Sequence, residues 1–483
     1  MLFNSIHFIV FLPIVFMLYW SIKHEWRWIL LLIASYYFYL SWEPWFGLLL
    51  LGTTIVDYYS AIKIYNTQDK HKKKIWLSIS LTANLGCLAY FKYSSFFYNS
   101  IIDIVNMTSG KGLESISSII LPVGLSFYTF QSISYTIDVY RSVNKPETNL
   151  ARFALYVSFF PQLVAGPVER FSHLMPQLYE KKEFNYSDFG EGIRLCIWGF
   201  FKKLVVADRL ATFVDPVFND VENYSGLTFL VAGFFFVVQL YCDFSGYTDI
   251  ARGVAKFFGF SLLINFNRPL LSTSIRDFWK RHHISMTTWF RDYLYFSLGG
   301  NKKGFTKQIT NIFIVFLISG LWHGAGWNFV LWGFFHALFF SLELIVSKFS
   351  FYKKTTTAQH SLFNTQRFLG WIYFLLVHSI TLILFRTKSI HDIHFIFSSL
   401  FSFSHFDAIN TLNQLLSINT TFPLFVTLTV VLFLFSADFI SERIEKKGYT
   451  IPNFLLIAYY LVLTVAIFIL GQFNANEFVY FQF

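Results

Sequence analysis

From residue 6 to residue 470 the chain alternates apolar runs with short polar connections, and no other feature restricts its fold so tightly. Inside a lipid bilayer the backbone finds no water, so every amide and carbonyl must be satisfied internally, which leaves helices or closed barrels. A helix needs roughly 17–25 apolar residues to cross. Runs of that order lie at 6–22, 27–42, 45–61, 75–98 and 119–140, then at 193–214, 227–242, 309–322, 328–346, 368–385, 421–435 and 451–470. The run 153–164 is too short to cross and ends at Ala165-Gly166-Pro167. It is expected as a re-entrant half helix, which survives at that depth only when packed in protein or lining a cavity. The expectation is an all-α integral membrane protein, a bundle of roughly 11–13 transmembrane or re-entrant helices around a central funnel. One membrane-embedded domain would cover 1–483, with a core at about 119–346 and C-terminal helices and tail at 368–483.

Composition agrees. Charged residues make up 14% and hydrophobic residues 55% of the chain, against about 25% charged in soluble domains. The first run has no basic stretch before it and no small-residue cleavage site after it, so it reads as a retained helix rather than a removed signal. Three cysteines, Cys87, Cys196 and Cys242, lie scattered in apolar surroundings, which argues against a disulfide framework or a zinc site. No set of His, Cys, Asp and Glu has metal-ligand spacing, so no metal is expected. The net charge of +10 sits in short loops, where membrane orientation explains it better than nucleic acid does.

Those loops give a topology. Lys23 and Arg27, then Lys70, Lys72, Lys73 and Lys74, then Arg141, Lys145 and Arg152 mark alternate loops as cytoplasmic, while 41–44 and 215–224 carry no Lys or Arg. Carried forward, 252–307 and 441–447 are cytoplasmic and both termini lie outside. Arg386 and Lys388 depart mildly from the pattern. The segment 252–307 is too polar to span and is expected as amphipathic helices on the cytoplasmic leaflet. Phe278, Trp279, Ile284, Trp289 and Tyr293 would give its apolar face, and Arg276, Lys280, Arg281 and Arg291 its basic one. That basic face either anchors the chain to anionic headgroups or receives an anionic, phosphate-bearing substrate from the cytosol.

His323 stands in Leu321-Trp-His-Gly324, between the apolar runs 309–321 and 329–340. An ionisable side chain at bilayer depth is costly unless it lines a cavity, which makes His323 a site candidate on position alone. The structural alternative is a buried histidine hydrogen-bonded between two helices.

Several runs now add up. They are Leu121-Pro-Val-Gly-Leu-Ser-Phe-Tyr-Thr-Phe-Gln131, Phe160-Pro-Gln-Leu-Val-Ala-Gly-Pro167, Asp243-Phe-Ser-Gly-Tyr-Thr-Asp249 and Phe278-Trp-Lys-Arg-His-His-Ile-Ser-Met-Thr-Thr-Trp-Phe-Arg-Asp-Tyr293. Leu298-Gly-Gly-Asn301, Leu321-Trp-His-Gly324 and the tail Phe478-Val-Tyr-Phe-Gln-Phe483 follow. In this order they resemble the bacterial membrane-bound O-acyltransferases, in the branch of alginate O-acetyltransferase and the peptidoglycan O-acetylation (acetyl-export) proteins. The resemblance implies that His323 is catalytic. Moving an acyl group from a thioester to a hydroxyl needs a base beside that hydroxyl, and an imidazole, titrating near neutrality, suits it. It places His283 as the family's second histidine, orienting the acyl carrier or assisting His323; the alternative is an interfacial residue of the basic segment. His282 departs from the tryptophan expected there, and if the segment is helical only one of the two adjacent histidines can face a cavity.

Weaker candidates are Trp322, Asp243, Gln131 and Asn328 as cavity or substrate residues. Asp243 reads equally as a helix cap, and Gln131, with Tyr128, as a helix-to-helix hydrogen bonder. His336 and His378 carry no motif and read as core packing. Gly324 and Gly326 would let backbone approach a substrate. Tyr480 is a candidate acyl carrier, since a phenol of pKa about 10 makes a more reactive ester than an alkyl alcohol; the alternative is an interfacial aromatic anchor.

The resemblance implies acetyl-CoA as donor, a polysaccharide acceptor such as alginate or peptidoglycan, a periplasmic serine-hydrolase-like acetyltransferase as partner, and residence in the bacterial inner membrane. A D-alanyl or lipid O-acyltransferase of the same family, and a non-enzymatic transporter of an anionic solute, are the rival readings. Neither nucleic acid nor a metal enters any of them.

Overall fold

The computed structural model describes residues 1–110, 112–117, 119–348, 365–402, 407–418, 423–473 and 478–479. Regular structure among them is entirely helical. The chain divides into two compact units, Met1–Cys196 with Thr248–Leu263, and Ile197–Tyr247 with Ile264–Phe483.

Seven described helices are long and apolar enough to cross a membrane: Pro44–Asn66, Leu227–Phe257, Phe305–His323, Trp327–Val346, Thr365–Arg386, Leu424–Lys447 and Asn453–Leu470. The chain is a multi-pass membrane protein. Other expected spans are helical too, among them Ile6–Ser21, His24–Leu40, Lys70–Leu88 and Leu125–Tyr140.

In the first unit, helices Pro44–Asn66, Lys70–Leu88 and Leu125–Tyr140 are joined by polar groups that find one another. The buried Asp57 carboxylate accepts from Ser80 Oγ at 2.6 Å and from Asn84 Nδ2 at 2.8 and 3.0 Å, and Ser80 Oγ also lies 3.1 Å from Thr136 Oγ1. Such bonds are how helices recognise each other where lipid removes the usual hydrophobic drive. The short helix Leu150–Ser158 is followed by turns to Gly166, the half helix expected for 153–164. Gln131, buried on Leu125–Tyr140, ties this piece down: its Nε2 donates to Tyr156 O at 2.8 Å, and Gln162 Nε2 donates to the same carbonyl at 3.0 Å.

The second unit contains one close hairpin on which the rest of the site depends. Helices Phe305–His323 and Trp327–Val346 approach backbone to backbone at two glycines. A Cβ on Gly320 would stand 2.3 Å from Phe329 O, and one on Gly333 would stand 2.4 Å from Phe316 O. No side chain fits at either place. Helix Asn453–Leu470 shows the opposite character, exposing Phe454, Ile457, Leu461 and Phe468, the surface a lipid-facing helix presents.

Three expectations are corrected. The run 227–242 does not stop before Asp243: the helix Leu227–Phe257 continues through Asp243-Phe-Ser-Gly-Tyr-Thr-Asp249, so Asp243 caps nothing. Arg386 departs from the charge pattern as a residue 7% exposed and paired at 2.9 Å with the more exposed Asp215; a cation packed against its partner reports packing, not orientation. The segment 252–307 holds helices Ile275–Arg281 and Ile284–Trp289 as expected, but His283 between them has φ +46°, so adjacent side chains there do not follow helical spacing.

Candidate active site

His323 is the last residue of its helix. Gly324 follows in extended conformation and stops the helix. A Cβ at Gly324 would collide with the Phe329 ring at 2.0 Å, so the missing side chain is what lets Phe329 pack against this turn. The His323 ring is 8% exposed and is clasped by Trp322 at 4.8 Å, Trp332 at 4.9 Å and Phe385 at 5.6 Å between centroids. It borders a small pocket whose lining also holds His282, His283, His378 and Ser319. The other lining residues are apolar apart from Thr287.

The positive φ at His283 brings two neighbouring histidines into one pocket. A non-glycine residue in that region is strained, and such strain gathers at functional sites. What holds it is Asn265. Its Oδ1 accepts from Ser285 N at 3.2 Å and Ser285 Oγ at 2.9 Å, and its carbonyl accepts from Ile284 N at 2.9 Å. His283 Nδ1 lies 3.1 Å from the same Oδ1. Because a backbone N–H donates to that atom, it is the amide oxygen, so Nδ1 carries the proton and Nε2 keeps a lone pair. Burial, and after it the neighbouring His282, hold the His283 imidazole well below its ordinary range. Burial pushes His282 down to about 3. Burial thus favours the neutral form of both rings.

Against this pocket lies a larger groove of about 1400 Å³; Trp279, Thr287, Phe290 and Ser319 border both. Its walls are mostly apolar and its rim carries Arg276, Lys280 and Arg291. Arg281, expected to share this basic face, instead pairs with Asp277 at 3.1 Å and Glu442 at 2.9 Å. Glu343, which the sequence did not single out, accepts the N–H groups of Ile275 and Arg276 at 2.7 and 3.0 Å. A carboxylate at a helix start satisfies donors that have no intrahelical partner, and here it fixes the helix that carries Arg276 and Lys280.

Of the candidates, the structure gathers His323, His283 and Trp322, whose ring lies 5.9 Å from that of His283. Asn328 lies nearby in sequence but spends its amide on Thr387 O at 2.9 Å. Gln131 belongs to the first unit. Asp243 is fully buried and ion-paired with Lys203 at 2.7 Å. Tyr480 lies outside the described residues. His378, read as core packing, lines the pocket, while His336 accepts from Trp279 Nε1 at 3.3 Å.

Comparison with known proteins now bears on this geometry. The family model described as MBOAT, membrane-bound O-acyltransferase family, matches residues 141–387. A probable alginate O-acetylase of Pseudomonas putida is 37% identical over 405 residues, 83% of this chain and 80% of that protein. A peptidoglycan O-acetyltransferase of Helicobacter pylori is 34% identical over 426 residues, 81% and 78% of the two chains. A teichoic acid D-alanyltransferase of Bacillus subtilis is 29% identical over 227 residues, covering 45% of this chain and 57% of its own.

Proposed function

The chain belongs to the membrane-bound O-acyltransferase family and is an O-acyltransferase, and on that premise we propose that it passes acetyl groups from cytosolic acetyl-CoA across the inner membrane for O-acetylation of a cell-surface or extracellular polysaccharide. The observation that carries this reading is the histidine pocket abutting a groove with a basic rim. In the groove, the anionic phosphates of the coenzyme meet Arg276, Lys280 and Arg291, and its extended arm lies along the apolar walls toward Thr287 and Ser319.

In the transfer itself, His323 takes the proton of the acceptor hydroxyl as that oxygen attacks the thioester carbonyl. The tetrahedral intermediate collapses, the carbon–sulfur bond breaks, and the imidazolium returns its proton to the departing thiolate. Alignment of such a base is worth on the order of 10²–10⁴-fold. His283 Nε2 offers a second proton-accepting nitrogen, and Trp322 holds the two rings in register. The first acceptor is the phenol of Tyr480, and a periplasmic serine-hydrolase-like acetyltransferase then moves the acetyl group to the polymer. Relatives acting on alginate and on peptidoglycan set the class of acceptor.

The test is His323→Ala in cells. Polymer acetylation, measured by mass spectrometry of the isolated polysaccharide, is expected to vanish while the amount of protein in the membrane stays unchanged. Acetylation at the wild-type level refutes the assignment. A D-alanyl ester on the polymer in place of acetyl would move the cargo to that of the more distant relatives.

A further inference from the structure

One cluster of buried charges has no part in the chemistry above. Helix Tyr186–Phe200 runs on through a wider, π-type turn at Phe201–Ala207 into Asp208–Asn219. That turn, a device often found at functional positions, buries both Lys202 and Lys203. Lys202 Nζ donates to Ser245 Oγ at 2.9 Å. Lys203 Nζ lies 2.8 Å from Asp208 Oδ1 and 2.7 Å from Asp243 Oδ1. Lys203 meets Asp243 through Oδ1, so the second carboxylate oxygen, Oδ2, is buried and needs a donor of its own. The donor is at the far end of the chain: Val479 N–H donates to Asp243 Oδ2 at 2.7 Å.

The contact belongs to a series. Arg209 Nη2 donates to Leu470 O, and Gln472 N–H donates to Leu204 O at 3.0 Å. Phe478 is 1% exposed, with its ring 5.4 Å from Phe244 and 5.5 Å from Tyr247. Phe244 in turn stands edge-on to His283 at 4.7 Å and borders the histidine pocket. The anchored amide therefore lies one residue before Tyr480 and is joined to the pocket wall through a single ring.

We propose that Asp243, held in place by its pairing with Lys203, is the receptor for the chain's own C-terminal segment, and that it is the positioning residue that sets where this segment meets the histidine pocket. In its consequence for transfer the proposal rests on Tyr480 being the acyl carrier; in its docking it does not.

The experiment separates the two. Detergent-solubilised full-length protein is digested with carboxypeptidase and followed by intact mass. The wild type is expected to retain Phe478 and Val479. Asp243→Leu removes the acceptor yet leaves Lys203 neutralised by Asp208, so the chain folds, and digestion past Phe478 is expected at least tenfold faster. Asp208→Asn is the counterpart: it disturbs the same cluster but leaves Asp243 paired and the tail held, so trimming matches the wild type. Equal trimming of Asp243→Leu and wild type, or of the two variants, overturns the receptor. His323→Ala, inactive in transfer, is expected to retain its tail like the wild type, which keeps docking apart from chemistry. Polymer acetylation is expected to fall at least tenfold in Asp243→Leu and to persist in Asp208→Asn. Wild-type acetylation by Asp243→Leu with its tail released overturns the positioning role.

Discussion

Asn265 shows how much of a site can rest on one neutral side chain. It accepts from the backbone and hydroxyl of Ser285, lies within hydrogen-bond distance of His283 Nδ1, and so fixes both a strained backbone and a tautomer. Removing it leaves buried donors without an acceptor, at about 1–3 kcal/mol each, and releases the ring. Asn265→Leu is expected to lower kcat by about 10²-fold while the KM for the acyl donor stays within about twofold; Asn265→Asp, which keeps an oxygen there, is expected to recover part of the loss. A KM rise with unchanged kcat would place Asn265 in donor binding instead. The sequence offered His323 and His283 through their motif, but not Asn265. Its role depends on a left-handed residue that is not glycine, and no pattern of residue types announces that. The same conformation is why His282 and His283 share one pocket although helical spacing separates them.

At the scale of elements, apolar runs were a good guide and polar interruptions a poor one. The half helix Leu150–Ser158 and the amphipathic pair after Ser274 lie where length and polarity place them. Asp243-Phe-Ser-Gly reads locally as a turn, yet the helix runs through it, with Lys203 paired to Asp243 and Val479 N–H donating to it. Local propensity is a weak prior that tertiary partners override, and the donor here is 236 residues away in the chain. The hairpin that carries His323 makes a sharper demand. At Gly320 and Gly333 the colliding atoms are backbone carbonyls, which have no room to yield. Gly320→Ala and Gly333→Ala are expected to destabilise the protein by about 1–3 kcal/mol, read as a lower Tm in detergent and loss of acetylation. Gly52→Ala, with nothing within 4 Å of the new Cβ, is expected to leave both unchanged.

For the molecule in its membrane, the charge pattern makes a prediction about sides. With Cys87, Cys196 and Cys242 replaced, a cysteine at Lys72 is expected to react with an impermeant maleimide only after cells are opened, and one at Glu222 in intact cells; both native residues are exposed. The reverse result inverts the orientation and with it the side from which the donor arrives. Arg386, an exception to this pattern by charge alone, is 7% exposed and paired with Asp215. Among the described residues bordering the histidine pocket there is no Asp, Glu, Lys or Arg. The imidazoles in that lining can carry a proton, and in the proposed transfer the one that His323 takes from the acceptor oxygen returns to the departing sulfur. That step is electroneutral, and its rate is expected to be indifferent to membrane voltage.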